Sequence, residues 1–261
     1  DAAFPVLSSL TIGGVGVGQR MISEYRQKLQ IRAMFGTYVS PKLVQQLVDD
    51  PSLMRLGGSI KTDMSFLFCD LVGFTPISEH YKNNNDPEGL VSLINRLLSA
   101  MTDVVLSLDG TIDKYMGDCV MAFWNAPVDC ENHEKQAVMC AARMMVALEH
   151  LNAEIEAEGL PRMGLGIGVN SGPCVIGNMG GSKRFDYSAI GDAVNVASRL
   201  ESSTRKYVHN VLIGEATAKV VPDLVKHVDS IEVKGKSEKL EVYTLSGQAI
   251  HEAHLADHLI L

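Results

Sequence analysis

Apolar positions along the chain follow the helical rhythm in some segments and the extended rhythm in others. Between Met21 and Phe35, the residues Ile22, Tyr25, Leu29 and Ala33 fall on one stripe of an otherwise charged helix. So narrow a stripe suits a two-stranded coiled coil, and a helix packed on its own domain would carry the same pattern. A hinge at Gly36 and Ser40-Pro41 leads to a second helix, Pro41 to about Asp49, and Gly57-Gly58 marks the start of the main domain. Met64 to Cys69 is an unbroken apolar run ending in Asp70, which reads as a buried strand. Pro87 to Leu108 returns to helical spacing through Leu90, Leu93, Ile94, Leu97, Leu98, Met101 and Val105. Thr111 to Met116 and Cys119 to Trp124 read as a hairpin about Gly117-Asp118, and Glu134 to Glu158 as a long amphipathic helix. Leu165 to Asn170 and Cys174 to Gly177 read as a second strand pair around Ser171-Gly172-Pro173. Ala193 to Ser203 is helical; Val211 to Gly214, Val228 to Val233 and Val242 to Leu245 are late strands. Hairpins mixed with helices define an α+β domain, a mostly antiparallel sheet covered by helices on one face.

Composition narrows the class. A chain of 261 residues makes one large domain, or one domain with appendages. With 46% hydrophobic and 21% charged residues it has the balance of a soluble globular protein, not of a disordered, collagen-like or disulfide-stapled one. A net charge of −8 argues against a nucleic-acid partner, although a nucleotide site needs only a few local cations and N–H groups. The five cysteines (Cys69, Cys119, Cys130, Cys140 and Cys174) include no C-x-x-C pair, which suits a reducing, intracellular compartment. The chain begins at Asp1 rather than Met, as a fragment or a processed product would.

Ala2 to Gln19 carries no charge, a run slightly short of the roughly 20 apolar residues that a membrane span needs. It reads either as the truncated end of a transmembrane helix, with Gly14 and Gly18 at small-xxx-small spacing, or as a Gly-rich linker. Arg20, Arg26, Lys28 and Arg32 follow it, as on the cytoplasmic side of a span. The organisation expected is therefore 1–19 as membrane end or linker, 20–58 as coiled-coil and coupling segment, 59–247 as the main domain and 248–261 as a solvated tail.

Four stretches carry candidate chemistry. In Phe68-Cys69-Asp70-Leu71-Val72-Gly73-Phe74-Thr75, a buried strand ends in a carboxylate and turns through a glycine into a helix start. Backbone N–H groups there suit phosphate oxygens, and the carboxylate suits a bridging metal, unless Asp70 merely caps the helix. In Asp113-Lys114-Tyr115-Met116-Gly117-Asp118, the second acid sits at a turn where Gly-Asp is common for conformational reasons alone. If the two strands are neighbours, Asp70 and Asp118 could hold two Mg²⁺ ions for an in-line phosphoryl displacement. In Tyr187 to Arg199, Asn195 and Arg199 are i, i+4 on one helix face, an amide and a guanidinium suited to sugar and phosphate. Val233-Lys234-Gly235-Lys236-Ser237 offers a lysine beside a glycine, a weaker signal that an exposed basic turn also explains.

Together these stretches resemble the catalytic domain of class III adenylyl and guanylyl cyclases, from about Ser65 to Leu245. FCDLVGFT, DKYMGDCVMAFW, GIGVNSG and SAIGDAVNVASRLE resemble bacterial, membrane-linked adenylyl cyclases in particular, and FGTYVSPKLV resembles the linker that joins an upstream region to the cyclase. The resemblance implies a ferredoxin-like βαββαβ core within the α+β fold. It implies that Asp70 and Asp118 bind two Mg²⁺ or Mn²⁺ ions, and that Val72, Gly73, Phe74 and Thr75 hold the triphosphate. Lys114 and Ser188 would read the purine, Asn195 orient the ribose and Arg199 stabilise the transition state. Lys236 would bind the terminal phosphates, with Lys234 as the fallback. Two departures stand out: Ser188 where many relatives carry Asp or Thr, and Pro173 where some animal enzymes carry a phosphate-binding Arg.

The activity implied is conversion of ATP to 3′,5′-cyclic AMP and pyrophosphate, with the catalytic domain cytoplasmic and tethered to a membrane or sensor region. The site would lie between two domains of a homodimer, with the aspartates from one protomer and the remaining residues from its partner. The alternatives are a guanylyl cyclase, which generally has Glu where Lys114 stands, and a catalytically silent dimerisation or regulatory module. His251, His254 and His258 share a helical spacing but span too far to reach one ion easily. Met139, Met144 and Met145 suit core or dimer packing, and Cys69 and Cys119 suit the core as small apolar residues.

Overall fold

The computed structural model describes residues 19, 21–33, 35–36, 39–50, 59–181, 184–232 and 239–257. The chain divides into two compact units, Asp1–Met54 and Arg55–Leu261. In the first unit, α1 is a helix over 21–33 and α2 runs Pro41–Asp49. The Ser40 hydroxyl accepts from the Leu43 N–H at 3.3 Å and Pro41 sits in the first turn, the two local signals that start a helix here. On α1, Ile22, Tyr25 and Leu29 are exposed, so the apolar stripe is real and uncovered; a coiled coil remains a proposal. The run Ala2 to Gly18 lies outside the described residues.

The second unit opens with β1 (Ser59–Val72), α3 (Phe74–Asn83) and α4 (Pro87–Ser107), followed by the hairpin β2 (Thr111–Met116) and β3 (Cys119–Trp124). Then come α5 (His133–Ala157), β4 (Gly164–Gly181), β5 (Arg184–Ile190) and α6 (Asp192–Ser203). The rest is β6 (Val211–Gly214), the single-turn α7 (Glu215–Ala218), β7 (Val225–Glu232), β8 (Lys239–Leu245) and α8 (Gly247–Asp257). The sheet order is β2-β3-β1-β4-β6-β8-β7, with β5 paired to β4. Its first four strands have the order of a βαββαβ ferredoxin-like core, and among the described residues only the β4–β6 pair is parallel.

The side-chain period of two decides which helix meets which face. Leu165, Ile167 and Val169 of β4 point into the main core with Leu93, Leu97, Met101 and Val105 of α4 and the buried stripe of α5. Their alternates, Gly166 and Gly168, lie under α6. A Cβ on Gly168 would stand 2.1 Å from the Ala197 carbonyl oxygen and 2.3 Å from the Glu201 nitrogen. No side chain fits there, so α6 rests on strand backbone. Leu212 of β6 likewise faces Val196 and Leu200 of α6, while its neighbours Val211 and Ile213 face the main core. Helices α4, α5 and α8 thus cover one face as expected, and α6 adds cover on the other.

Two expectations change. Ser171-Gly172-Pro173 does not turn the chain; β4 is one strand of 18 residues running through it. The ladder with β1 passes from Met64↔Gly172 to Lys61↔Cys174 with an irregularity between, so Pro173 has no Cα partner and its missing N–H breaks no bond. The segment expected as a tail forms α8, whose Ala249 and Ala253 are fully buried in the core, while His251 and His254 are exposed; His258 lies outside the described residues. Helix α4 is the one described helix long and apolar enough to cross a membrane, yet its Leu93, Leu97, Met101 and Val105 are buried in this domain's core.

Candidate active site

Two clusters of polar side chains gather at the sheet. The first is acidic. Asp70 follows Cys69, whose partner Val120 closes the β1–β3 register; β1 itself runs on to Val72 against β4, so Asp70 lies not at the strand's end but just past its pairing with β3, beside the β2–β3 turn that carries Asp118. Burial pushes the Asp70 carboxyl above its ordinary value, and the charge on Asp118 raises it further. Arg205, just past α6, opposes this: its Nη2 donates to Asp70 Oδ2 at 2.7 Å. The same nitrogen stands 3.8 Å from Glu201 Oε1. Glu201 is a third carboxyl of this neighbourhood; it is 6% exposed, burial raises its pKa, and its Oε1 has no hydrogen-bond partner.

No group of three or more His, Cys, Asp or Glu side chains among the described residues forms a metal cage. What Asp70 and Asp118 offer is a pair of oxygen donors that repel one another. That fits a hard divalent cation completing its shell with water and phosphate oxygens, as Mg²⁺ characteristically does.

Beside this pair, Gly73 caps the start of α3 in the left-handed conformation, at φ 83°. A Cβ there would meet nothing within 4 Å, so the backbone angle and not space calls for glycine. No side-chain hydrogen bond caps α3, so the first-turn N–H groups, Phe74 and Thr75 among them, have no capping side chain.

The second cluster joins β2 to β5. Lys114 Nζ donates to Ser188 Oγ at 3.1 Å, so these two sequence-predicted residues meet. Asp113, with a fully buried side chain, completes it. Ser188 Oγ donates to both Asp113 oxygens at 3.0 and 2.8 Å, Lys114 Nζ lies 2.9 Å from Oδ1, and the Ala189 N–H reaches Oδ2 at 3.3 Å. Adjacent strand residues ordinarily point to opposite faces. Here the β2–β3 register slips between Ile112 and Lys114, and this bulge turns Asp113 and Lys114 to the same partner.

Asn195 and Arg199 lie exposed on α6, and neither side chain makes a hydrogen bond or ion pair among the described residues. The structure thus brings Asp70 to Asp118 and Lys114 to Ser188, and leaves Asn195 and Arg199 open to solvent. Lys234 and Lys236 lie outside the described residues.

Sequence reasoning missed Asp113, Glu201 and Arg205. The i, i+4 spacing of Glu201 and Arg205 was available as a signal; nothing in the sequence marks Asp113 as a bulge residue. Cys69 and Cys119 are buried as expected, and burial pushes the Cys119 thiol up to about 12, so neither is a ready nucleophile.

A pair of carboxylates, a helix start without a side-chain cap and a lysine–hydroxyl pair are thus gathered on one sheet. Residues 59–247 match the family model described as the adenylate and guanylate cyclase catalytic domain, and the chain belongs to that family. It is 34% identical over 217 residues to adenylate cyclase 1 of Rhizobium meliloti, a match covering 82% of this chain and 32% of that protein. It spans about a third of the length of the curated relatives it matches. Among solved structures, it resembles the adenylyl cyclase CyaB from P. aeruginosa, with TM-score 0.63, 33% identity and coverage of 73% of this chain and 96% of that one. It resembles a guanylyl cyclase equally well, with TM-score 0.66, 31% identity and coverage of 74% and 95%.

Proposed function

We propose that this chain is the catalytic domain of an adenylyl cyclase. The ribose 3′-oxygen of ATP attacks the α-phosphorus, the bond to the β-phosphate oxygen breaks, and cyclic AMP and pyrophosphate leave. Asp70 and Asp118 would hold two Mg²⁺ or Mn²⁺ ions. Bound there, such ions acidify the 3′-hydroxyl and draw charge from the phosphates. The turn Val72-Gly73-Phe74-Thr75 offers N–H groups to the triphosphate, and Lys236 would meet its far end. Lys114 and Ser188 hold the purine, Asn195 orients the ribose, and Arg199 neutralises the charge that grows at the α-phosphate.

The observation that carries this reading is the Asp70–Asp118 pair: Asp70 is partly buried, and Asp118 stands close enough that its charge, after burial, raises the Asp70 carboxyl above its ordinary value. Arg205 offsets that repulsion from one side of Asp70 only, and a divalent cation between the two carboxylates would offset it from both. The test is formation of cyclic AMP and cyclic GMP from ATP and GTP, with Mg²⁺ and with Mn²⁺, beside Asp70→Ala. Cyclic AMP formed by the wild type and lost in the variant is the expected result. Cyclic GMP in its place would move the assignment to a guanylyl cyclase. No product from a dimeric sample would move it to a silent regulatory module.

The same proposal makes the active form a homodimer with composite sites. Asn195 and Arg199 support it, since both are exposed and neither side chain is bonded among the described residues. Ile60, Val175 and Ile190 support it too: they are cross-strand neighbours, all apolar and all exposed. Attachment to an upstream sensor or membrane region belongs to this proposal through the linker-like residues 35–44, with the catalytic domain on the cytoplasmic side.

A further inference from the structure

Ser188 poses a problem of selectivity. A lone hydroxyl is ambidextrous: it can accept from the amino group of adenine or donate to the carbonyl of guanine. A serine that rotates freely would therefore discriminate poorly between ATP and GTP.

The hydrogen-bond count around Asp113 removes that freedom. Ser188 has one hydroxyl proton, and it is directed at the two Asp113 oxygens, at 3.0 and 2.8 Å. It has two lone pairs, and one receives Lys114 Nζ at 3.1 Å. One lone pair remains. Lys114 has three protons; one goes to Ser188 and one to Asp113 Oδ1 at 2.9 Å, so one remains. The pair thus presents one acceptor and one donor side by side. The pairing edge of adenine offers a donor at N6 and an acceptor at N1, which is its complement. The same edge of guanine offers an acceptor at O6 and a donor at N1, which opposes it at both positions.

We infer that Asp113 is the positioning residue that sets nucleotide selectivity: by taking the Ser188 proton, its buried carboxylate fixes that hydroxyl as an acceptor and so selects adenine over guanine. This rests on the cyclase reading and deepens it. Asp113 need not touch the nucleotide. Its side chain is fully buried, fastened also by the Ala189 N–H, and only the bulge in β2 lets it face Ser188. In Asp113→Asn an amide N–H can donate to Ser188 instead. That frees the hydroxyl proton for guanine O6.

The experiment measures kcat/KM for ATP and GTP, and direct binding of each, in the wild type, Asp113→Asn, Ser188→Ala and the double variant. The expected result is a fall in the ATP-to-GTP preference of at least about ten-fold in Asp113→Asn, carried mostly by KM. Ser188→Ala should lose the same preference, and the double variant should lose no more than Ser188→Ala alone, because the two act as one unit. A purely structural role would lower both activities together and leave the ratio unchanged, and that result overturns the inference. If Asp113→Asn fails to fold, Ser188→Ala decides: an intact preference there overturns it. A wild type that forms neither cyclic nucleotide defeats the cyclase reading instead, and the ratio of ATP to GTP binding in the same variants then decides the role of Asp113.

Discussion

The two polar clusters of the catalytic unit are built on opposite plans. Around Ser188 the hydroxyl proton and two of the three Lys114 protons are assigned: Asp113, Lys114 and the Ala189 N–H form a network that leaves one acceptor and one donor free. Around Asp70 the accounts stay open. Two carboxylates repel, a third at Glu201 has a buried oxygen without a hydrogen-bond partner among the described residues, and Arg205, 53% exposed, is the cation in contact. A closed network suits a ligand recognised by shape and hydrogen bonds, since nothing must move before it binds. An open acidic one suits ligands that bring positive charge of their own. Under the proposed function, the first cluster would serve selectivity and the second turnover.

Four experiments would break or sharpen that division. The largest effect should come from Asp118→Ala, which we expect to lower kcat by about 10³ or more for ATP and GTP alike, read as initial rates at saturating Mn²⁺. Lys114→Ala should instead raise KM for ATP by about ten-fold or more while keeping measurable kcat, because it removes binding and not charge stabilisation at phosphorus. If both variants lost kcat equally, the division would be wrong. Arg205→Ala should tighten Mn²⁺ binding to the nucleotide-free protein by about three-fold, followed by electron paramagnetic resonance, since an exposed guanidinium competes only modestly for Asp70.

The smallest effect concerns stability. Burial and the Asp118 charge hold the Asp70 proton above its ordinary value of 3.8, so the folded chain binds it more tightly than the unfolded chain does. Stability contributed by that proton is therefore present at low pH and lost as pH rises through the elevated value. Asp118→Asn should flatten this loss and raise Tm of the metal-free protein at neutral pH by about 1–3 °C. A lower Tm in that variant would mean that the pair is not under repulsion.

Much of the frame was legible in the sequence because local rules decide it. The hairpin of β2 and β3 and the span of α4 follow from alternation, helical spacing and a proline in the first turn, with Asp86 accepting from the Gly89 N–H as the cap. What stayed hidden depends on partners. Ser171-Gly172-Pro173 carries every local mark of a turn, yet β1 is long enough, and irregular at the right place, to carry β4 straight through it. The pairing of β5 and the docking of α8 through two alanines leave no strong periodic trace. In the site, Asp70 and Asp118 could be read because an apolar run closed by an acid and a Gly-Asp turn advertise themselves. Asp113 could not, because its direction is set by a register slip against Met121 and not by its neighbours in sequence.

The glycines beneath α6 have one more consequence. Where Gly168 lies, main chain touches main chain, and substitution can reshape side chains but not main-chain atoms. The height of Asn195 and Arg199 above the strand that neighbours Asp70 is thus written in the one material every residue shares. One added methyl group at Gly168 would meet the Ala197 carbonyl oxygen and lift the whole helix, so the placement of Asn195 and Arg199 hangs on the absence of a single carbon atom.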